Sequence, residues 1–96
     1  MLKDKEQREF RLRMAKKLKM LRMEKGFTQN DLAEYVGQSR ISINRYENAV
    51  QVPSLQALFF LATAFEITLD DLVKGVLKWL IFYMKMGFGL LPYWYI

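Results

Sequence analysis

The sequence predicts an all-α domain of five helices, followed by an apolar helix and a short extended tail. Three observations carry this prediction: apolar residues at helical spacing, Ser or Thr before the helical stretches, and no convincing strand period before residue 86. Thr28 with Asp31, and Thr68 with Asp71, have the spacing of a capping box, in which each side chain bonds the other residue's N–H group. At 96 residues the chain can bury one modest core.

The first predicted helix spans about residues 4–25, and Gly26 ends it. Its other faces carry Lys, Arg and Glu, which suits a helix with one buried side. The apolar stripe recurs at helical intervals and comprises Phe10, Met14, Leu18 and Leu21.

The next two helices are short and are predicted at about 29–36 and 40–47. Gly37 lies between them, where a helix must stop and the chain must turn sharply. Ser39 is placed to cap the helix that follows. Ala33 is small at the position where the two helices cross, which allows them to approach closely.

The second of these short helices has an inner and an outer face. Ile43 and Tyr46 lie three positions apart and face inward together. The residues left on the outer side are Arg40, Ile41, Asn44 and Arg45.

Two further helices are predicted after a loop that Pro53 closes. Ser54 caps the fourth helix, and Thr68 opens the fifth. The apolar residues carried by the fourth helix are Leu55, Leu58, Leu61, Ala62 and Phe65.

This pattern resembles a known family, the phage-repressor/Cro type of helix-turn-helix, or Xre family of bacterial and phage regulators. The central matches are Gln29, Ala33, Gly37, Ile43 and the run RYEN at 45–48. Matches to the family's first helix are Met14, Leu18, Leu21 and Gly26, and those to its last two are PSL at 53–55, Leu58, Leu61, Ala62 and TLDDL at 68–72. The resemblance covers roughly residues 10–73.

The resemblance implies a sequence-specific DNA-binding transcriptional regulator, expected to be a repressor, that reads the major groove with its third helix. It places base contacts at Arg40, Ile41 and Arg45, with Asn44 nearby. Arginine can bind guanine O6 and N7, asparagine can bind adenine N6 and N7, and an apolar side chain suits a thymine methyl. The alternatives are ordinary surface charge for the two arginines and partial burial beneath the second helix for Ile41.

Backbone contacts are expected where helix ends and hydroxyl groups face the DNA. Thr28 and Gln29 lie at the start of the second helix, whose free N–H groups and dipole suit a phosphate. Ser39 and Ser42 are further candidates, and Asn48 matches a phosphate-contacting position of the family. For Thr28 and Ser39, helix capping alone is a complete explanation.

Two departures from the family follow the third helix. Ala49 and Val52 stand where the family often has glycine and a basic residue, so phosphate contacts beyond Asn48 are in doubt. Asn48 is therefore a candidate for the left-handed position that ends the helix. The resemblance also pairs Glu47 with Arg22 as a structural ion pair that orients the third helix.

Charge is uneven along the chain. The formal net charge is +5; residues 1–50 hold 12 Lys/Arg and 7 Asp/Glu, whereas residues 51–96 hold 3 of each. The basic half contains the helix-turn-helix, which favours a polyanionic partner such as duplex DNA. The alternative is a solvated, Lys-rich first helix.

Composition argues against catalysis and against a metal centre. The chain has no cysteine and no histidine, so the commonest general base and the usual zinc ligands are missing. Asp70–Asp71 is the only adjacent acidic pair, and capping explains Asp71. We expect no enzyme activity, no cofactor and no metal. The charged N-terminus is unlike a secretory signal, which predicts a cytoplasmic protein.

The sequence divides into a helix-turn-helix domain at 1–74 and an apolar extension at 75–96. The extension is predicted to form an extra core layer and a homodimer interface, so that the dimer binds a palindromic operator. Its large apolar side chains are Trp79, Leu80, Phe82, Tyr83, Phe88, Trp94 and Tyr95. Its lysines, glycines and proline argue against a spanning helix. Interfacial membrane contact and a protein partner, such as the toxin of a helix-turn-helix antitoxin, are the alternatives.

Overall fold

The computed structural model describes residues 3–74, together with the helical positions Ile81 and Lys85. Within these residues the protein is all-α, with no strand, as the sequence predicts. Four complete helices are α1 (Asp4–Glu24), α2 (Gln29–Val36), α3 (Arg40–Glu47) and α4 (Leu55–Ala64). A fifth helix, α5, begins at residue 69 and is helical through residue 74.

Each helix from α2 onward begins at a hydroxyl cap, as the sequence predicts. The side-chain oxygen of the cap accepts a hydrogen bond from an N–H group in the first turn, which otherwise has no partner. The caps are Thr28, Ser39, Ser54 and Thr68, each bonded to the N–H group three residues on, at 3.0–3.1 Å. In α2 the box is complete, because the Thr28 N–H also donates to the Asp31 carboxylate at 3.1 Å.

The four complete helices also share one type of ending. In each, a residue one or two positions after the helix adopts a left-handed conformation, and two backbone hydrogen bonds close the last turn. Glycine takes that position after α1 and α2, at Gly26 and Gly37. After α3 and α4 the position belongs to Ala49 and Glu66, with φ of 60° and 59°.

The core lies between the helices: α3 packs against α1 and α2, and α4 packs against α2. From α1, Met14 and Leu18 are buried, with Phe10 and Leu21 packed against the same cluster, so the predicted stripe is confirmed. Phe65 and Leu72, at the end of α4 and in α5, have no exposed surface. The remaining core residues are Leu32, Ala33, Val36, Ile43, Tyr46, Leu61, Ala62 and Ala64.

The apolar residues of α4 divide between two faces. Leu61, Ala62 and Phe65 are buried and Leu58 is half-buried, but Leu55 is 63 % exposed. Leu55 lies in the first turn of α4, to one side of the buried face, so it does not extend the core. The remaining predicted extension, at 75–96, lies outside the described residues apart from Ile81 and Lys85.

Candidate nucleic-acid interface

The turn between α2 and α3 is built from local signals. Gly37 has φ +69°, and the N–H of Gln38 donates to the Ala33 carbonyl at 2.9 Å, which closes α2. Ser39 then caps α3 through the N–H of Ser42. Ala33 is 3 % exposed and belongs to the core cluster.

The inner side chains of α3 hold the helix against the domain. Ile43 and Tyr46 are 1 % and 5 % exposed. Burial raises the pKa of the Tyr46 phenol above its ordinary value, because desolvation disfavours the charged form, so the side chain remains neutral. These anchors settle which face of α3 points outward.

The outer face of α3 is solvent-exposed at all four predicted base-contact positions: Arg40, Ile41, Asn44 and Arg45. Ile41 is 61 % exposed, which rules out the alternative of partial burial beneath α2. The face therefore presents two guanidinium groups, an amide and an aliphatic side chain, which are the groups that read base edges in a major groove.

A buried carboxylate joins α1, α2 and the end of α3. Arg22 Nε lies 2.6 Å from Glu47 Oε2, and Arg22 Nη2 lies 3.2 Å from Oε1. The two side chains are 12 % and 3 % exposed. Gln29 Nε2 donates to the same Oε1 at 3.2 Å, and Arg22 Nη1 donates to the Phe27 carbonyl at 2.7 Å. The Phe27 bond uses a backbone oxygen, so no side-chain pattern in the sequence indicates it.

The amide side chains of the interface form a chain of hydrogen bonds. Asn44 Nδ2 donates to Gln29 Oε1 at 3.4 Å, and Asn48 Nδ2 donates to Asn44 Oδ1 at 3.1 Å. Asn48 Nδ2 also lies 2.9 Å from the Asn44 carbonyl. Three residues predicted as separate DNA contacts are thus linked. If Asn44 paired with adenine, its Oδ1 would accept hydrogen bonds from both the base and Asn48.

Among the predicted phosphate contacts, Thr28, Ser39 and Asn48 are exposed, whereas Gln29 and Ser42 are half-buried. Thr28 and Gln29 occupy the start of α2, where the first N–H groups of a helix have no helical acceptor. Ser39 and Ser42 place their hydroxyl oxygens 3.0 Å apart at the start of α3. Both Thr28 and Ser39 act as caps, and capping leaves their hydroxyl groups at the surface.

The loop after α3 differs from one expectation. Asn48 has φ −101°, and the left-handed residue is Ala49, so the prediction for Asn48 is wrong. The closing bonds run from Ala49 N to the Tyr46 carbonyl and from Val50 N to the Arg45 carbonyl, a register that places the left-handed residue one position later. The loop carries no charge from Ala49 onward until α4 begins.

Within the described residues, His, Cys, Asp and Glu form no cluster that could hold a metal ion. None of the helices in this part of the chain is both long and apolar enough to cross a membrane. The predicted dimer residues Trp79, Leu80, Phe82, Tyr83, Phe88, Trp94 and Tyr95 lie outside it.

Comparison with known proteins finds similarity to this chain both in sequence and in fold. A helix-turn-helix family model matches residues 18–72, more than half of the chain. The HTH-type transcriptional activator BcrR of Enterococcus faecalis is 36 % identical over 59 residues, 62 % of this chain and 29 % of that protein. The chain thus spans less than a third of that relative's length. A solved chain of the SinR protein/SinI protein complex superposes with a TM-score of 0.59 at 22 % identity, covering 79 % of this chain and 82 % of that one. At this identity the likeness establishes the fold alone.

Proposed function

The chain belongs to the helix-turn-helix family, of the Xre type that its sequence resembles, and we propose that it regulates transcription by binding duplex DNA. One observation carries the proposal. The third helix is anchored by Ile43 and Tyr46, and it presents Arg40, Ile41 and Arg45 to solvent on its opposite face. An exposed isoleucine between two exposed arginines has no stabilising role in water, but it matches a base edge that carries a methyl group.

Docking follows from the ends of α2 and α3. The first residues of α3 enter the major groove, so Arg40 meets a base edge first and Arg45 lies a turn further along. The start of α2 faces the DNA backbone, with Thr28 and Gln29 beside a phosphate. Glu47 holds Gln29 at 3.2 Å, which fixes its side chain before DNA arrives.

We further propose that a cytoplasmic homodimer binds a palindromic operator through two copies of α3. Two major-groove contacts on one face of B-DNA lie about 34 Å apart, which corresponds to ~10 bp between half-site centres. The proposed dimer segment is the apolar extension at 75–96. Repression stays a prediction, and the matched relative is named as an activator.

A protein partner at the apolar extension is the second candidate, in the manner of an antitoxin that binds both DNA and a toxin. The structural neighbour comes from a complex of two proteins, SinR and SinI. The DNA surface would be the same in both cases. The test is to recover bound proteins from the native host with the full chain and with a chain truncated at Lys74. A specific partner that binds the full chain and is lost with the truncated chain would support this candidate.

Selection of bound duplexes from a random pool, followed by affinity measurements at one stated salt concentration, tests the proposed function. Arg40→Ala should relax the preference at one base pair and cost about 1–3 kcal/mol there. Gln29→Ala should weaken binding to all sequences about equally. Arg8→Ala, an exposed arginine of α1, is the matched control for lost charge. If Arg40→Ala and Gln29→Ala both stay within twofold of Arg8→Ala, the assigned face is wrong.

A further inference from the structure

The side-chain amides of Asn44 and Asn48 hold each other in one orientation. Asn48 Nδ2 lies 2.9 Å from the Asn44 backbone oxygen and 3.1 Å from Asn44 Oδ1. A backbone oxygen only accepts hydrogen bonds, so it fixes which end of the Asn48 amide is the nitrogen. That nitrogen faces the Asn44 side chain as a donor. Asn44 therefore turns its oxygen, and not its nitrogen, towards Asn48.

The other end of the same chain of amides gives Asn44 the same orientation. The Glu47 carboxylate accepts from Gln29 Nε2 at 3.2 Å, and Gln29 Oε1 then accepts from Asn44 Nδ2 at 3.4 Å. This last bond is longer than the usual range of about 2.7–3.2 Å for an N–H donor and an oxygen. Asn48 is therefore the closer restraint on the Asn44 amide.

The orientation decides which groups of Asn44 remain for a ligand. Asn48 has two side-chain N–H groups, and Asn44 supplies two acceptors for them, so the Asn48 nitrogen is satisfied within the protein. Asn44 Oδ1 already accepts one bond, whereas one of the two Asn44 side-chain N–H groups has no acceptor among the described residues. The exposed Asn44 amide thus offers a donor freely, and its oxygen only in competition with Asn48.

The bases of a major groove differ in the groups that such an amide meets. Adenine presents N7 as an acceptor and its N6 amino group as a donor, and asparagine pairs with it through oxygen and nitrogen together. Guanine presents N7 and O6, which are both acceptors. A free N–H group therefore suits guanine, whereas adenine needs the oxygen that Asn48 already occupies.

We propose that Asn48 determines which base Asn44 reads: by occupying Asn44 Oδ1, it makes Asn44 a donor that favours guanine over adenine. This inference rests on the proposed DNA binding and adds a base preference to it. It also gives Asn48 a role different from the phosphate contact that the family resemblance implies. Loss of a phosphate contact weakens binding to every sequence alike, whereas a residue that acts through Asn44 changes the preference at one base pair.

The experiment selects bound duplexes from a random pool with the full chain and compares base preferences position by position. Asn44→Ala should erase the preference at one base pair, which identifies the pair that Asn44 meets. Asn48→Ala frees Oδ1 for adenine, so the ratio of adenine to guanine binding at that pair should rise about tenfold, within the range that one bidentate pair gives. The preference at the base pair that Arg40 meets should stay the same.

Three further variants separate this effect from a general change in binding. Asn48→Leu keeps a side chain of similar shape without hydrogen-bonding groups, so it should shift the preference as Asn48→Ala does. Gln56→Ala removes an exposed amide from the first turn of α4 and should leave every preference unchanged. In the double variant Asn44→Ala with Asn48→Ala the shift should disappear, because Asn48 acts through Asn44.

Three results would overturn the inference while leaving the proposed function intact. They are a wild-type chain that already favours adenine at the pair in question, an Asn44→Ala chain whose preferences match wild type, and an Asn48→Ala chain that binds all sequences equally weakly. The last result would assign Asn48 to a phosphate. Failure of the proposed function looks different, because the wild-type chain then enriches no sequence at all, and the inference fails with it.

Discussion

The two ends of the recognition helix α3 are held in different ways. At its start, Gly37 takes the left-handed conformation without strain, and Ser39 caps the helix at 3.0 Å from the Ser42 N–H. At its end, the left-handed position falls to Ala49, which adopts φ 60°. That end is secured instead by Glu47, whose carboxylate binds Arg22 from α1, 25 positions earlier in the chain.

The difference separates local from tertiary determinants of a binding surface. The start of α3 is capped by residues within a few positions of each other, so its capping needs no partner from another helix. The end of α3 depends on α1 being in place, because Arg22 holds the Glu47 carboxylate. Ala49 adds a cost of roughly 1–2 kcal/mol for an L-residue in the left-handed region. The orientation of the proposed DNA-binding face therefore depends on both ends of α3, and each end can be perturbed separately.

The largest expected effect comes from removing the tertiary anchor. Glu47→Ala leaves the Arg22 guanidinium, 12 % exposed, without its charged partner and with only the Phe27 carbonyl as an acceptor. Breaking a buried pair in this way typically costs about 3–5 kcal/mol. Urea unfolding should show that loss, and Gln29 should also lose its acceptor, so DNA binding should weaken by more than the folded fraction explains.

Two controls accompany this prediction: removal of an exposed glutamate elsewhere, and exchange of the two charges within the Arg22–Glu47 pair. Glu24→Ala removes an exposed glutamate at the end of α1 and should stay within about 0.5 kcal/mol of wild type. The swap Arg22→Glu with Glu47→Arg should recover part of the loss. Strict additivity of Arg22→Ala and Glu47→Ala in a double-mutant cycle would show that the two side chains are not coupled.

The next effect, at the start of α3, is smaller because it is local. Gly37→Ala forces a side chain into φ +69°, although nothing lies within 4 Å of the added Cβ. Alanine is strained in the left-handed region, but its unfolded chain has less entropy than that of glycine, which offsets part of the cost. The free energy of unfolding should therefore fall by about 1 kcal/mol. Gly26→Ala, at φ +75° and with equally open space, should lose a similar amount in the same thermal unfolding assay.

If only Gly37→Ala weakens DNA binding beyond its stability loss, the turn matters for orientation as well as for folding. Equal binding losses in both glycine variants would contradict the view that the start of α3 is a separate determinant of the DNA face.

The features that could be predicted from the sequence are the local ones, and most of those that could not depend on tertiary contacts. The starts of α2, α3 and α4 at residues 29, 40 and 55 are as predicted, because Thr28, Ser39 and Ser54 act within their own first turns. The family resemblance also predicted the Arg22–Glu47 pair. The sequence did not indicate that Gln29, Asn44 and Asn48 are linked, since residues 15 positions apart meet only after α2 and α3 have packed.

The wrong prediction at Asn48 has the same origin. Asparagine tolerates the left-handed region well, so propensity favoured Asn48 over Ala49 for that position. The register of the closing bonds decides instead, because Val50 N reaches the Arg45 carbonyl only when Ala49 makes the turn.

A third prediction introduces a glycine at the other end of α3, where the left-handed residue is Ala49. Ala49→Gly removes the left-handed strain at the cost of extra unfolded-state entropy, so the net gain should be about 0.5–1 kcal/mol. Thermal unfolding should show a raised midpoint, with the Glu47 interaction intact. An unchanged or lowered midpoint would show that the methyl group of Ala49, which is partly buried, contributes more than the backbone strain removes.

The smallest effect concerns Glu66, the residue that takes the left-handed position after α4. Its carboxylate accepts a hydrogen bond from the Lys25 ammonium at 2.9 Å, and this bond together with the charge attraction holds the pKa of Glu66 below its ordinary value. A lowered folded-state pKa stabilises the protein above the ordinary carboxylate pKa, and the contribution is lost as pH falls through the folded pKa.

Glu66→Gln keeps a side chain in the same backbone conformation and removes the charge. Its unfolding midpoint should therefore lie slightly below wild type at pH 7, and the difference should vanish in acid and shrink in 1 M salt, since the pair is exposed. A difference that persists unchanged in acid would show that Glu66 acts through its backbone conformation, as Ala49 does. In that case Glu66→Gly should stabilise the end of α4, as Ala49→Gly is expected to stabilise the end of α3.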